Sequence, residues 1–248
     1  MEFLNAFFKN KNKVRTTDKK ISIDENEKYK TLRFNGVVQS RIDNFSYLGG
    51  DYWDLFPPLC FAFKKPQMLM IGLGGGTIIK GINEIFKENI NIEVVEINSE
   101  VIRIYNKFFN IKSDIKIINL DGFEYLQKKE KVYDIIILDA YDVDTIPEQF
   151  LTEKFVIAAS SALRNNGILA INCISTMSLN DELQRYIDLI KKKLFVYSII
   201  PGIVSSNKIL LCSNKDIIRD KINIIIKELS KNKQNSAILA AYSRVIKE

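Results

Sequence analysis

Short apolar runs alternate with segments of helical periodicity along most of the chain. The runs, rich in Ile, Leu and Val, predict strands at residues 68–71, 92–97, 115–119, 133–138 and 167–173. The segments between them carry apolar residues at helical spacing and predict helices at residues 78–88, 99–108, 122–129 and 147–163. This alternation predicts an α/β domain, in which a parallel sheet carries helices on both faces.

The beginning of the chain follows a different pattern. Polar and apolar positions alternate in three runs, at residues 21–23, 29–34 and 37–42. Asn35 and Gly36 separate the last two runs and favour a hairpin turn, because both central positions of that turn need positive φ. The pattern predicts a small N-terminal antiparallel β unit over residues 21–50, preceded by a flexible, loosely docked arm over residues 1–20.

Residues 51–248 make up the predicted main domain, which also contains elements outside the alternation. At its beginning the sequence predicts a short helix over residues 51–63, interrupted at Pro57-Pro58. At its end the sequence predicts a helix at residues 181–193, an antiparallel edge pair of strands at 195–200 and 208–212, and helical segments from Ile217 onward.

A cluster of glycines joins the first buried strand to the following helix. Gly72, Gly74 and Gly76 allow positive φ and can bring backbone N–H groups and a helix N-terminus close to a ligand. A nucleotide-like cofactor fits such a turn. Thr77 stands where the dinucleotide-binding pattern requires a third glycine, and the G-x-G-x-G form resembles the first motif of S-adenosylmethionine-binding transferases.

Acidic residues follow three successive predicted strands. Glu96 lies 20 residues after Gly76, where an acid accepts hydrogen bonds from ribose hydroxyls in such folds. The alternative for Glu96 is a solvated glutamate at a strand end. Asp121 follows the next strand, and for it a helix-capping role is an equal alternative. Because ligands bind beyond the carboxyl ends of parallel strands, we expect these acids to converge on one crevice.

The third acidic position is a pair, Asp139 and Asp142, separated by Ala140 and Tyr141. Two carboxylates in one tight loop can hold a protonated amine, and one of them, with a raised pKa, can take the proton as the amine attacks. Tyr141 could line an aromatic wall, although packing is the simpler interpretation.

Composition narrows the chemistry. The chain has no histidine, which excludes Ser-His-Asp, Cys-His and histidine-ligated metal sites. The three cysteines lack metal-ligand spacing, so we expect no metal and a reducing, cytoplasmic location. No run has the length of a membrane span, and the net charge of +6 comes from scattered lysines. A nucleic-acid partner, such as the substrate of an RNA methyltransferase, is therefore disfavoured.

Taken in order, several segments resemble spermidine synthases, which are polyamine aminopropyltransferases. They are Phe34 to Gln39, Asp43 to Tyr47, the glycine turn, Glu96, Leu120 to Tyr125, Asp139 to Asp142, Ile199 to Pro201 and Ile209 to Ser213. The resemblance implies a Rossmann-like S-adenosylmethionine-dependent methyltransferase fold with a small N-terminal antiparallel β unit. It also implies transfer of an aminopropyl group from decarboxylated S-adenosylmethionine to a di- or polyamine, and leaves a homodimer open.

Carried over by position, the resemblance assigns roles along the crevice. Gln39 would contact the amino-acid or thioether side of the cofactor and Glu96 its ribose. Asp121 and Gly122 would contact the adenine. Asp139 would receive the proton of the reacting amine, and Asp142 would help to hold the acceptor.

The chain departs from the family pattern at several positions. Gly75 replaces the aspartate that binds the amine of the decarboxylated cofactor. Leu48 and Gly49 replace a polar residue and a glutamate, and Gly202 and Ile203 follow the Ile-Pro pair where a tyrosine is usual. These departures leave a methyltransferase acting on a small amine or other acceptor as the alternative, with intact S-adenosylmethionine bound by the turn N–H groups. A decayed, non-catalytic fold is disfavoured because both acids of the pair remain.

Overall fold

The computed structural model describes residues 12–15, 20–46, 48–86, 90–111, 114–142, 145–174, 181–200 and 207–248. Tyr47, Gly202 and Ile203, which entered the family comparison, lie outside these residues, as does most of the predicted arm.

The N-terminal residues form an antiparallel sheet of four strands in chain order. Its strands are β1 (Asn12–Arg15), β2 (Ile21–Glu25), β3 (Tyr29–Phe34) and β4 (Val37–Asp43). The predicted hairpin joins β3 to β4, and both turn residues have positive φ, 48° at Asn35 and 86° at Gly36. Strand β1 lies within the segment predicted as an arm without regular structure. The arm prediction is therefore wrong for residues 12–15, and the division into three units stays a prediction.

The main domain is built around a sheet of eight strands. After β4 the chain supplies β5 (Gln67–Ile71), β6 (Asn91–Glu96), β7 (Ile115–Asn119), β8 (Tyr133–Leu138), β9 (Leu163–Cys173), β10 (Phe195–Ile199), β11 (Lys208–Ser213) and β12 (Ile246–Lys247). Their spatial order is β12-β10-β11-β9-β8-β5-β6-β7. Strands β5 to β9 pair in parallel, and β10, β11 and β12 pair in antiparallel fashion at one side. The predicted antiparallel pair is thus present.

Helices cover both faces of this sheet. The α-helices are α1 (Thr77–Ile85), α2 (Ser99–Ile104), α3 (Gly122–Leu126), α4 (Glu153–Ala162), α5 (Glu182–Lys191), α6 (Ile218–Leu229) and α7 (Ser236–Tyr242). In the described parts of the chain, 3-10 helices lie at Tyr52–Leu55, Pro57–Ala62, Glu148–Leu151 and Lys233–Asn235. The first two replace the predicted helix over residues 51–63. Within the described residues, no helix is long and apolar enough to cross a membrane.

The strand β5 shows how the sequence produces two cores. Successive side chains of a strand point to opposite faces. Met68 and Met70 accordingly pack with α1, α2, α6 and α7, whereas Leu69 and Ile71 pack with α3, α4 and α5. All four side chains are buried, which explains why the strand is apolar without alternation.

Two predicted helices are interrupted. The helix predicted over residues 147–163 becomes a 3-10 turn and then α4, because the Thr152 hydroxyl accepts a hydrogen bond from the Phe155 N–H and begins a new helix. The helix predicted over residues 99–108 ends as an α-helix at Ile104 and continues as a π-helical turn, Tyr105–Phe109. No proline or glycine within the helical residues marks either interruption in the sequence.

Long-range hydrogen bonds fasten the smaller elements to the main sheet. Thr77, the first residue of α1, donates its hydroxyl to the Arg41 carbonyl at 3.2 Å and accepts from the Arg41 N–H at 3.1 Å. The Lys80 ammonium donates to the carbonyls of Asp43 and Ser46. At the other end of the chain, the Tyr242 hydroxyl donates to the Leu55 carbonyl at 2.6 Å. The elements on either side of the glycine turn are therefore held in place.

The junction between the two sheets can be tested by Thr77→Val. Valine keeps the shape of threonine but can make neither bond to Arg41, so we expect a loss of about 1–3 kcal/mol in the free energy of unfolding. Urea denaturation measures this loss. Thr31→Val, at the buried threonine of β3 that lies opposite Arg41 in the β3–β4 pair, is the matched control. Equal losses in the two variants would show that the Arg41 bonds contribute nothing particular.

Candidate active site

A cavity of about 510 Å³ opens at the carboxyl ends of the parallel strands. It is lined by eight of the nine residues predicted for the site: Gln39, Gly72, Gly74, Glu96, Asp121, Gly122, Asp139 and Asp142. Gly76 is the exception. A Cβ atom on Gly76 would lie 2.6 Å from the Tyr105 ring, so this glycine allows the turn to pack on the neighbouring helical segment. The acids that end three successive strands thus do converge on one crevice.

The glycine turn has the predicted positive φ angles, 98° at Gly72, 51° at Gly74 and 80° at Gly76. The turn donates hydrogen bonds mainly within the protein, to acceptors that each lie about 3 Å away. The donor and acceptor pairs are Gly72 N–H to Val95 O, Leu73 N–H to Glu96 Oε2, Gly75 N–H to Ser40 Oγ and Gly76 N–H to Leu73 O. The expectation that this turn presents bare N–H groups to a ligand is therefore wrong for these four.

Glu96 connects the turn to the neighbouring strand. Its side chain is buried, with the residue only 9% exposed, so the alternative of a solvated strand-end glutamate is wrong. One carboxylate oxygen accepts from the Leu73 N–H at 3.0 Å and the other from the Asn98 N–H at 2.8 Å. Burial raises the pKa of Glu96, and these backbone donors oppose the rise. Ile97 adds a third backbone hydrogen bond, and the carboxylate retains lone-pair capacity for a further donor, such as a ligand hydroxyl.

Asp121 caps a helix and also lines the cavity. One oxygen accepts from the Glu124 N–H at 2.8 Å and caps α3, and the other accepts from the Gln149 amide at 3.1 Å at the edge of the cavity. Gly122 lies against β5, where a Cβ atom would come 2.3 Å from Ile71 Cγ2. Glycine at this position lets α3 begin close to the glycine turn.

Asp139 follows β8 and lines the cavity. Its side chain accepts from the Asn172 amide at 2.9 Å and hydrogen-bonds the Tyr52 hydroxyl. Burial raises the pKa of Asp139 to about 6, although both of these donors favour the ionised form. Asp142 also lines the cavity, and its backbone exchanges two hydrogen bonds with Thr145.

Sequence reasoning missed the residues that hold Asp139. Asn172, on β9, is 1% exposed, and its amide oxygen accepts from the Asn207 amide at 3.0 Å. Its carbonyl accepts from the Tyr141 hydroxyl, so Tyr141 both lines the cavity and packs. Tyr52 lies on the first 3-10 helix. These side chains meet Asp139 only through the tertiary fold. The polar Asn172 within an apolar strand was nevertheless a visible signal.

The order of the strands arranges these groups in a line. Asp121 follows β7, Glu96 ends β6, the glycine turn follows β5 and Asp139 follows β8, and these four strands are neighbours in that order. Neighbouring strands are about 4.8 Å apart, so the line spans roughly 14 Å. An elongated molecule can therefore place hydroxyl groups at one end and a positively charged or reacting group at the other. Among the residues in the described ranges, no group of three or more acidic or cysteine side chains could hold a metal ion.

The role of Asn172 can be tested by Asn172→Leu. Removing a donor to a buried carboxylate destabilises its ionised form, so the pKa of Asp139 should rise from about 6 to about 7 or higher. NMR titration of ¹³C-labelled aspartate carboxyls measures the pKa, and Asp139→Asn assigns the signal. Asn214→Leu, which removes an amide bonded to Ser160 elsewhere, should leave that pKa unchanged. An unchanged value in Asn172→Leu would contradict the assignment.

Comparison with known proteins gives a family match. The model of the spermine/spermidine synthase domain matches residues 57–217. The polyamine aminopropyltransferase of Vibrio vulnificus is 27% identical over 174 residues, which cover 65% of this chain and 58% of the relative. That of Hydrogenobaculum sp. is 33% identical over 147 residues, covering 56% of this chain and 51% of the relative. The chain thus spans little more than half the length of these relatives.

Solved structures share the fold. A spermidine synthase from Thermotoga maritima has a TM-score of 0.68 at 17% identity, covering 93% of this chain and 82% of its own. Human methyltransferase-like protein 13, in complex with SAH, has a TM-score of 0.54 at 21% identity, covering 74% of this chain and 90% of its own. These likenesses confirm the predicted Rossmann-like methyltransferase fold.

Proposed function

Because the chain belongs to the spermine/spermidine synthase domain family, we propose that it is an aminopropyltransferase acting on a di- or polyamine, with decarboxylated S-adenosylmethionine as co-substrate. The observation that carries this proposal is the position of Asp139. It is a half-buried acid with a raised pKa, in the same cavity as a second carboxylate, at one end of the line of groups that follow the parallel strands.

The cofactor would lie along the line of strand ends. Glu96 would accept bonds from the ribose hydroxyls through the lone pairs that Leu73 and Asn98 leave unused. Asp121, together with Gly122, would meet the adenine edge. The sulfonium group would then lie over Gly72 and Gly74, beside Gln39 of the small sheet, which also lines the cavity. This arrangement brings the carbon next to sulfur toward Asp139.

Asp139 would act as the proton acceptor. A protonated amine has no free lone pair, so the acceptor must lose a proton before it attacks. The amine nitrogen then forms a bond to the carbon next to sulfur. The C–S bond breaks and its electron pair remains on sulfur, which leaves as the neutral thioether methylthioadenosine. Asp142 would hold a further ammonium group of the acceptor by charge-assisted hydrogen bonding.

The glycine turn supports aminopropyl transfer over methyl transfer. The alternative relied on turn N–H groups to bind the carboxylate of intact S-adenosylmethionine, but those of Gly72, Leu73, Gly75 and Gly76 already donate within the protein. Gly75 cannot simply regain the acid usual in the family. A Cβ atom there would meet the Phe109 ring at 2.9 Å and Ser40 Cβ at 3.0 Å.

The product of the reaction tests the function. The enzyme is offered a mixture of di- and polyamines with each cofactor form in turn, and mass spectrometry should show a gain of one aminopropyl unit with the decarboxylated form. Asp139→Asn should abolish turnover and leave cofactor binding within about tenfold, because the change removes the base but keeps the shape. Asp220→Asn, at an exposed acid of α6, is the matched control and should keep full activity.

Three results would contradict parts of this proposal. A gain of one methyl group with intact S-adenosylmethionine would support the methyltransferase alternative. Failure of the folded protein to bind either cofactor form or methylthioadenosine in calorimetry would remove the proposal altogether. Full activity of Asp139→Asn would show that another group is the base.

The pH dependence of kcat provides an independent test. Asp139 accepts a proton only when ionised, and its pKa is about 6, so kcat should fall as the pH decreases through about 6. Burial also raises the pKa of Asp54 to about 6, and this acid holds the Gly49 and Gly50 N–H groups. The control is therefore Asp54→Asn, which should keep the acidic fall near pH 6. If the fall of kcat near pH 6 disappears in Asp54→Asn, the fall is due to Asp54 and the loop at Gly49 and Gly50 rather than to Asp139.

A further inference from the structure

A buried hydroxyl group lies directly on the glycine turn. Ser40, on β4, is 4% exposed, and its Oγ accepts the Gly75 N–H at 2.8 Å. A Cβ atom on Gly74 would lie 2.7 Å from the same Oγ. The serine side chain therefore occupies the space into which a side chain on the turn would project.

The bond to Gly75 uses only part of the bonding capacity of this hydroxyl. A serine hydroxyl has one hydrogen to donate and two lone pairs to accept with. Gly75 takes one lone pair, and no second donor from the described part of the chain reaches the other lone pair. Buried polar groups usually find partners. Because Ser40 also lines the cavity, a molecule bound there can supply one.

Much of the turn backbone is already hydrogen-bonded. The N–H groups of Gly72, Leu73, Gly75 and Gly76 are engaged within the protein. The small sheet contributes a neutral hydroxyl next to this turn, on Ser40.

From this geometry we infer that Ser40 is a specificity-determining residue, whose hydroxyl hydrogen-bonds the tail amine of the sulfonium cofactor. The inference rests on the proposed function. The hydroxyl can accept from an ammonium group while it holds Gly75, since a second lone pair remains. Ser40 thus recognises the tail amine of the cofactor through a hydrogen bond, although the serine side chain is uncharged.

The affinities for three ligands distinguish recognition of the tail amine by Ser40 from a purely structural role of Ser40 in supporting the glycine turn. Decarboxylated S-adenosylmethionine carries the tail amine, the intact form adds a carboxylate, and methylthioadenosine lacks the tail. Ser40→Ala should weaken binding of the decarboxylated form about three- to tenfold and leave methylthioadenosine within about twofold, since one neutral hydrogen bond is lost. Ser40→Asp should shift the ratio of the two cofactor affinities at least about tenfold toward the decarboxylated form, because a carboxylate attracts the ammonium and repels the second carboxylate.

Calorimetry of the full chain measures these affinities, and thermal unfolding confirms that each variant is folded. Ser213→Ala, at another buried serine far along the main sheet, is the matched control and should change none of them. Equal weakening of all three ligands in Ser40→Ala would overturn the inference, because Ser40 would then only support the turn. Unchanged binding would overturn it as well. If Ser40→Asp does not fold, the alanine variant decides.

These outcomes are distinct from failure of the proposed function. If the wild-type chain binds none of the three ligands, the function and the inference both fail. If the wild-type chain binds them and transfers an aminopropyl group, but Ser40→Ala binds them as the wild type does, only the inference fails.

Discussion

The site depends on the close approach of two strand ends that is possible only without a side chain at residue 72. A Cβ atom on Gly72 would lie 2.2 Å from the Asp139 carbonyl oxygen, and the φ of 98° would strain any other residue. This contact holds the turn after β5 against the loop after β8. Glu96 then fixes the other side of the turn through the Leu73 N–H. The glycine turn, Glu96 and the loop that carries Asp139 are thereby held in one arrangement.

This arrangement costs free energy, because the Asp139 carboxylate is withdrawn from water and its charge has little compensation. Burial makes the ionised form of Asp139 less stable, and the donors from Asn172 and Tyr52 recover only part of that stability. The same imbalance makes Asp139 a better proton acceptor than an exposed aspartate, because its conjugate acid has a higher pKa.

Much of the fold and part of the site follow from local patterns in the sequence. The strands β7 and β8 have the predicted bounds, and Asn35-Gly36 makes the predicted turn, because periodicity and turn chemistry are local properties. The acids at strand ends were predictable because parallel strands share one edge. The contacts of Ser40 with Gly75 and of Tyr52 with Asp139 were not. Each joins segments 35 or more residues apart, and no periodicity within either segment records the other.

The bond between the Tyr242 hydroxyl and the Leu55 carbonyl has a consequence for the time at which the site is completed. Leu55 ends the 3-10 helix that also carries Tyr52, one of the donors to Asp139. During synthesis the glycine turn, Glu96 and Asp139 emerge from the ribosome long before α7. The 3-10 helix that carries Tyr52 can form its hydrogen bond with Tyr242 only when residue 242 has left the exit tunnel. Nascent chains would therefore pass through a stage in which the glycine turn, Glu96 and Asp139 are present but the position of Tyr52 is not yet fixed.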